Sequence, residues 1–103
     1  MKLTGVIRIE FMRKYELLYV LDPTEEKYKE EIGKIKENYK KIEASLLKEE
    51  EMGKRRLAYT IDKKTDGFYY LTQIEIKDFS KLGEFEKELK LNPNVIRHLK
   101  LRI

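Results

Sequence analysis

Cysteine is missing from this chain of 103 residues, and histidine occurs once, at His98. Without cysteine there is no disulfide, no cysteine nucleophile and no thiolate metal site, and such a composition suits a reducing compartment. One histidine supplies neither a histidine cluster for a metal nor a Ser/His/Asp triad. No cofactor is called for by any motif. No apolar run approaches the roughly 20 residues that span a bilayer. Residues 1–11, MKLTGVIRIEF, carry Arg8 and Glu10 and lack a small-residue cleavage site, so they do not read as a signal peptide. The expected location is the cytoplasm.

What is present is charge. Charged residues make up 41% of the chain and hydrophobic ones another 41%, which describes a charged globular protein of one domain. Twenty-three cations against nineteen anions leave a net charge of +4. That bias permits nucleic-acid binding without requiring it, because the distribution matters more than the total.

Residues 14–21, KYELLYVL, have the composition of a buried strand. Asp22-Pro23-Thr24 breaks it, and Thr24 with Glu25 and Glu26 makes a helix start. Tyr28, Ile32, Ile35, Tyr39 and Ile42 then form one apolar stripe, and Glu25/Lys29 and Glu30/Lys34 support the solvated side. From about Lys41 to Ile61 the period moves toward two, with a kink or bulge expected near Gly53. A hairpin loop over 62–66, turning on Asp66-Gly67, leads to a strand over 68–76. Leu82, Phe85 and Leu89 mark a second helix, capped by Asp78 or Ser80 and ended at Asn92-Pro93-Asn94. VIRHLKLRI closes the chain as a strand. The order βαββαβ is the α+β, ferredoxin-like plan, a four-stranded antiparallel sheet with two helices on one face.

The helices cover one side of such a sheet, so binding is expected on the other. Along 68–76, Phe68, Tyr70, Thr72, Ile74 and Ile76 form one set and Tyr69, Leu71, Gln73 and Glu75 the other. The glutamine and glutamate assign the second set to the open side. Leu17, Tyr19 and Leu21 then belong to the core, and Leu18, Val20, Tyr69 and Leu71 form an apolar interaction patch. Arg13, Lys14, Lys54, Arg55, Arg56 and Arg97 lie near strand starts or ends, and several are candidates to gather at one edge against phosphates. Glu49-Glu50-Glu51 reads as a solvated edge rather than a metal site, since alternate residues of a strand point apart. His98 reads as structural or exposed.

Four stretches, MRKYELLYVLDPT (12–24), GKRRLAYTI (53–61), DGFYYLTQIE (66–75) and EKELKLNPNVIRHL (86–99), resemble the family of bacterial small-subunit ribosomal protein six. The resemblance implies a non-enzymatic, ribosome-associated role. It implies binding to the central domain of small-subunit ribosomal RNA, as a heterodimer with small-subunit ribosomal protein eighteen. Arg13, Arg55 and Arg56 match basic family positions near the RNA, and Tyr69 and Leu71 match outward positions of the third strand. Residues 1–11 precede the family's usual start, as an extension or an upstream initiation, with 12–103 as the domain. The chain also stops at Ile103, where many relatives carry a polar tail that contributes to partner binding.

Two other readings share the strand order. An RNA-recognition motif, a single-stranded RNA binder, expects a cation before the glycine of its third strand, where this chain has Asp66. An acylphosphatase expects an arginine in the loop after the first strand, where this chain has Asp22-Pro23-Thr24.

Overall fold

The fold is that of a computed structural model describing residues 12–61 and 63–103. The proposed extension, 1–11, lies outside the described residues. Strand β1 (Arg13–Leu21) is followed by helix α1 (Glu25–Lys41), the long strands β2 (Ser45–Ile61) and β3 (Lys64–Ile76), helix α2 (Phe79–Leu91) and β4 (Val95–Arg102). The strands form one antiparallel sheet in the order β2-β3-β1-β4. This is the βαββαβ arrangement expected from periodicity.

Alternation decides which side chains enter the core. Tyr15, Leu17, Tyr19 and Leu21 of β1 and Phe68, Tyr70, Thr72, Ile74 and Ile76 of β3 are all buried on one side. They pack against Ile32, Ile35 and Tyr39 of α1 and Leu82, Phe85 and Leu89 of α2. Tyr28 lies flat on Phe68 with ring centroids 3.7 Å apart, and Tyr39 meets Phe85 edge-on at 5.7 Å. Burying tyrosines brings hydroxyls into the core, and those of Tyr19, Tyr39 and Tyr70 find partners, the last in the Glu49 carboxylate. Tyr19 and Tyr39 share a hydrogen bond of 2.5 Å, Tyr39 bonds Thr72 Oγ1 at 2.8 Å, and Thr72 donates to the Leu17 carbonyl. Burial pushes the Tyr39 hydroxyl up to about 12 and raises that of Tyr19, so both stay neutral and bonded at physiological pH.

Helix α1 ends in a left-handed residue, Glu43, with the Ala44 amide returning to the Tyr39 carbonyl and the Glu43 amide to that of Lys40. The helix therefore occupies Lys41, and β2 starts at Ser45, later than the sequence period suggests. Thr24 stands at the N-cap without a side-chain bond. Instead the Asp22 carboxylate accepts the Thr24 amide at 2.9 Å. Asp78 caps α2 by accepting from the Ser80 amide. Glu31, buried in α1, accepts from the side-chain amides of Asn92 and Asn94, tying α1 to the loop before β4.

Gly33 sits on the exposed side of α1, and a Cβ there meets no atom within 4 Å. Gly33→Ala is expected to stabilise the fold by about 0.5–1 kcal/mol, read by chemical denaturation. Destabilisation would contradict the helix assignment at this position.

Candidate functional site

The side of the sheet opposite the helices is set by strand register. Leu18 pairs with Leu71 on β3 and with Leu99 on β4, while Glu50 of β2 stands opposite Leu71. One row across the sheet is therefore Glu50–Leu71–Leu18–Leu99. The next row toward the β1 start is Lys48–Gln73–Glu16–Leu101, and Gln73 donates to Glu16 at 3.1 Å. Toward the β1 end, Tyr69, Val20 and Arg97 form a third row, with Gly53 at the β2 edge. The four expected apolar residues thus form two cross-strand pairs, Leu18–Leu71 and Val20–Tyr69, on the uncovered side.

Two features of this surface escaped the sequence. Leu99 and Leu101 extend the apolar row and are 60% and 64% exposed. Their alternation was visible, but which set of β4 faces out depends on its register with β1, which one strand cannot supply. Val20 departs from expectation in the other direction. It lies on the open side yet is buried, because the far end of β2 brings Leu57, Tyr59 and Ile61 around a cleft of about 130 Å³ with Val20, Tyr69 and Arg97. Val20 therefore offers no docking surface of its own.

Gly67 explains how closely this arm packs. A Cβ at that position would come within 2.4 Å of Val20 Cγ1. The glycine serves close approach rather than a turn. The chain reverses between Ile61 and Lys64, which pair with each other, and Lys63 adopts a φ of 65°, so the expected turn at Asp66-Gly67 is corrected. The expected bulge near Gly53 is present, as a register shift between Glu51 and Gly53 with Gly53 at a φ of 89°.

The six candidate cations do not gather at one edge. Eight steps along β1, about 26 Å of extended strand, separate the level of Arg13 from that of Leu21 and Lys54. Lys54, Arg55 and Arg56 stand beside Phe68, Gly67 and Asp66, at the same end as Arg97. Arg55 shares the open side with Arg97, while Lys54 and Arg56 point to the helix side. At the opposite end Arg13 lies over the Phe79 ring at 4.2 Å, and Lys14 is level with Glu75. His98 accounts for itself structurally, bonded to Glu86 at 3.1 Å next to Lys100. Glu49 is more than edge decoration, since it accepts from the Tyr70 hydroxyl and pairs with Lys36 at 2.9 Å. Among the described residues no cluster of carboxylates or histidine is suited to a metal ion.

An ion pair between a buried carboxylate and a half-buried lysine ties the basic hairpin to the rest of the sheet. Lys64 Nζ lies 2.9 Å from the Asp22 carboxylate and also donates to the Pro93 carbonyl. Burial raises the Asp22 carboxyl, but the Thr24 amide and the Lys64 ammonium outweigh it and hold the pKa at about 2, below its ordinary 3.8.

This fold has known counterparts. A family model described as ribosomal protein S6 matches residues 14–102. The chain belongs to the ribosomal protein S6 family. The small ribosomal subunit protein bS6 of Fusobacterium nucleatum is 42% identical over 90 residues, covering 85% of this chain and 95% of that one. The bS6 protein of Shouchella clausii is also 42% identical, over 93 residues, covering 85% and 94%. The crystal structure of 30S ribosomal protein S6 from Thermotoga maritima superposes with a TM-score of 0.81 at 26% identity, covering 89% of this chain and 88% of that one. Membership in the S6 family makes the chain a structural protein of the small ribosomal subunit in the cytoplasm, and not an enzyme.

The Asp22 carboxylate has a definite acid signature. Its folded pKa lies below the unfolded one, so its stabilisation is complete above about pH 5 and lost as pH falls toward 2. From this group the wild-type chain should lose about 2 kcal/mol over that window, at ~1.4 kcal/mol per pKa unit. Asp22→Asn should start less stable and show a shallower acid slope in denaturation at successive pH values. Parallel slopes would mean that the Lys64 pair does not hold the hairpin.

Proposed function

We propose that this S6-family chain binds the central domain of small-subunit ribosomal RNA together with small-subunit ribosomal protein eighteen, as a heterodimer. The observation that carries the reading is the uncovered side of the sheet, where Leu71, Leu18, Leu99 and Leu101 are flanked at one end by Arg55 and Arg97. An apolar strip of this kind suits a protein partner, because its burial is favoured without any charge to desolvate. Leu18, Leu71 and Tyr69 are assigned to the protein partner, with Leu99 and Leu101 beside them. Val20 supports that surface from beneath the hairpin arm.

The cations are assigned to RNA phosphates. Lys54, Arg55, Arg56 and Arg97 form the principal contact, since guanidinium groups match phosphate oxygens in pairs. Tyr59, 64% exposed in the same cleft, adds a ring for base stacking. Arg13 and Lys14 make a second contact at the far end of the sheet. Both surfaces sit on the same rigid sheet, so binding of one partner favours binding of the other wherever protein eighteen also touches the RNA.

A filter-binding titration of a central-domain RNA fragment decides the matter. Apparent affinity should rise when protein eighteen is present, and equal affinity with and without it would sink the heterodimer. Arg55→Ala with Arg56→Ala should weaken RNA binding and lower its salt slope by about 1–2 units. An unchanged slope would return both arginines to ordinary surface.

A further inference from the structure

The helix side of β4 is charged where the neighbouring strands are apolar. His98 pairs with Tyr19, Lys100 with Leu17 and Arg102 with Tyr15, and those three β1 residues belong to the core. Alternation therefore turns His98, Lys100 and Arg102 toward the helices, and Arg97, Leu99 and Leu101 toward the open face. Facing them from α2 is Glu86. Its Oε2 lies 3.1 Å from His98 Nε2 and its Oε1 lies 2.5 Å from Lys100 Nζ, so one carboxylate spans both positions. The imidazole and the carboxylate are only 12% and 16% exposed, whereas Lys100 is 37% exposed and lies over the Tyr15 ring.

This cluster stands where packing is thin. α2 holds the core through Leu82, Phe85 and Leu89, but among the described residues β4 adds only Val95 to that cluster. β4 is also an edge strand, paired with β1 alone. Past Val95, the polar side-chain contacts between α2 and β4 among the described residues all run through Glu86. Burial raises the Glu86 carboxyl, but Lys100 and His98 outweigh it and hold it below its ordinary value, so it is ionised across the neutral range. The Tyr19 hydroxyl, on the strand beside His98, is kept neutral by burial and is bonded to Tyr39. The remaining charges on this side of β4 are Lys100 and Arg102. Histidine is the side chain whose ordinary range of titration falls between pH 5 and 8. A neutral ring can still donate a hydrogen bond to Glu86, and an imidazolium adds an ion pair to it.

We propose that Glu86, His98 and Lys100 form a proton-operated latch between α2 and β4, tight when the imidazole is charged and looser when it is neutral. The other side of β4 carries Arg97, Leu99 and Leu101, so the latch sets from the helix side how firmly that strand of the open face is held. The charged ring stabilises the folded chain. Its contribution is therefore present at the acid end of histidine's range and lost as pH rises through it. The Asp22 contribution is complete above about pH 5 and adds no slope there. The latch is a property of the free chain, whatever binds its open face.

Chemical denaturation of the full chain between about pH 5.5 and 8 is the test, on the wild type, His98→Gln, Glu86→Gln and the double variant. Glutamine at 98 keeps a donor and removes the titrating charge. The folding equilibrium constant of the wild type relative to His98→Gln should be about three- to tenfold larger at the acid end of the range than at the basic end. The same comparison on the Glu86→Gln background should show no pH dependence. His98 is the chain's one histidine, so its ring signals can also be followed directly by NMR in the wild type. Backbone signals of α2 around Glu86 should move with the same midpoint. A wild-type to His98→Gln ratio that stays constant with pH would overturn the latch, as would a pH dependence that persists without the Glu86 carboxylate. So would α2 signals that stay still while the imidazole titrates, a readout that needs no variant to fold.

Discussion

The hydroxyl chain from Tyr19 through Tyr39 to Thr72 fastens α1 to the two central strands, and the rest of the molecule follows from it. Each of these polar atoms is buried, so each needs its partner, and a hydroxyl stranded in the core would cost about 1–3 kcal/mol. A slip of β1 against β3 by one residue would strand them and turn Leu17, Tyr19 and Leu21 outward. The same constraint presents Leu18 and Leu71 to solvent. Core and open face are two consequences of a single register.

The hairpin beyond the core obeys different rules. Among the described residues no helix covers β2 and β3 beyond Phe68, and the arm is held by the Lys64–Asp22 pair and by the contact of Gly67 with Val20. An arm attached this way can carry exposed cations without involving the core. It also explains why Lys54, Arg55 and Arg56 occupy one end of the sheet while the Leu71–Leu18–Leu99 row occupies the middle. The charge reversal within β2, separated by a bulge, belongs to this same edge. Its carboxylates neighbour the sheet centre and its cations the arm.

Much of this was legible in the chain itself. The apolar stripe of α1, the alternation in β1 and β3, the bulge near Gly53 and the division of Tyr69 from Tyr70 are local patterns, written within a few residues of each other. What escaped was long-range. Asp66-Gly67 has the composition of a turn, but the chain reverses between Ile61 and Lys64, and Gly67 answers a contact with a strand more than forty residues away. Leu99 and Leu101 joined the surface only through pairing with β1, and Val20 left it because β2 folds back over it. Of the cations, Lys54, Arg55, Arg56 and Arg97 share one end and Arg13 and Lys14 lie at the other, a division the chain did not show because nearness to a strand end does not say which end of the sheet.

The central claim is that one uncovered sheet face presents an apolar middle to a protein and a basic end to RNA. Chemical-shift mapping of the isotope-labelled chain tests it most directly, with the partner protein and an RNA fragment added separately. The partner should shift the signals of Leu18, Leu71, Leu99 and Leu101, and the RNA those of Arg55, Tyr59 and Arg97. Perturbations concentrated on the exposed sides of α1 and α2 in either titration would contradict it.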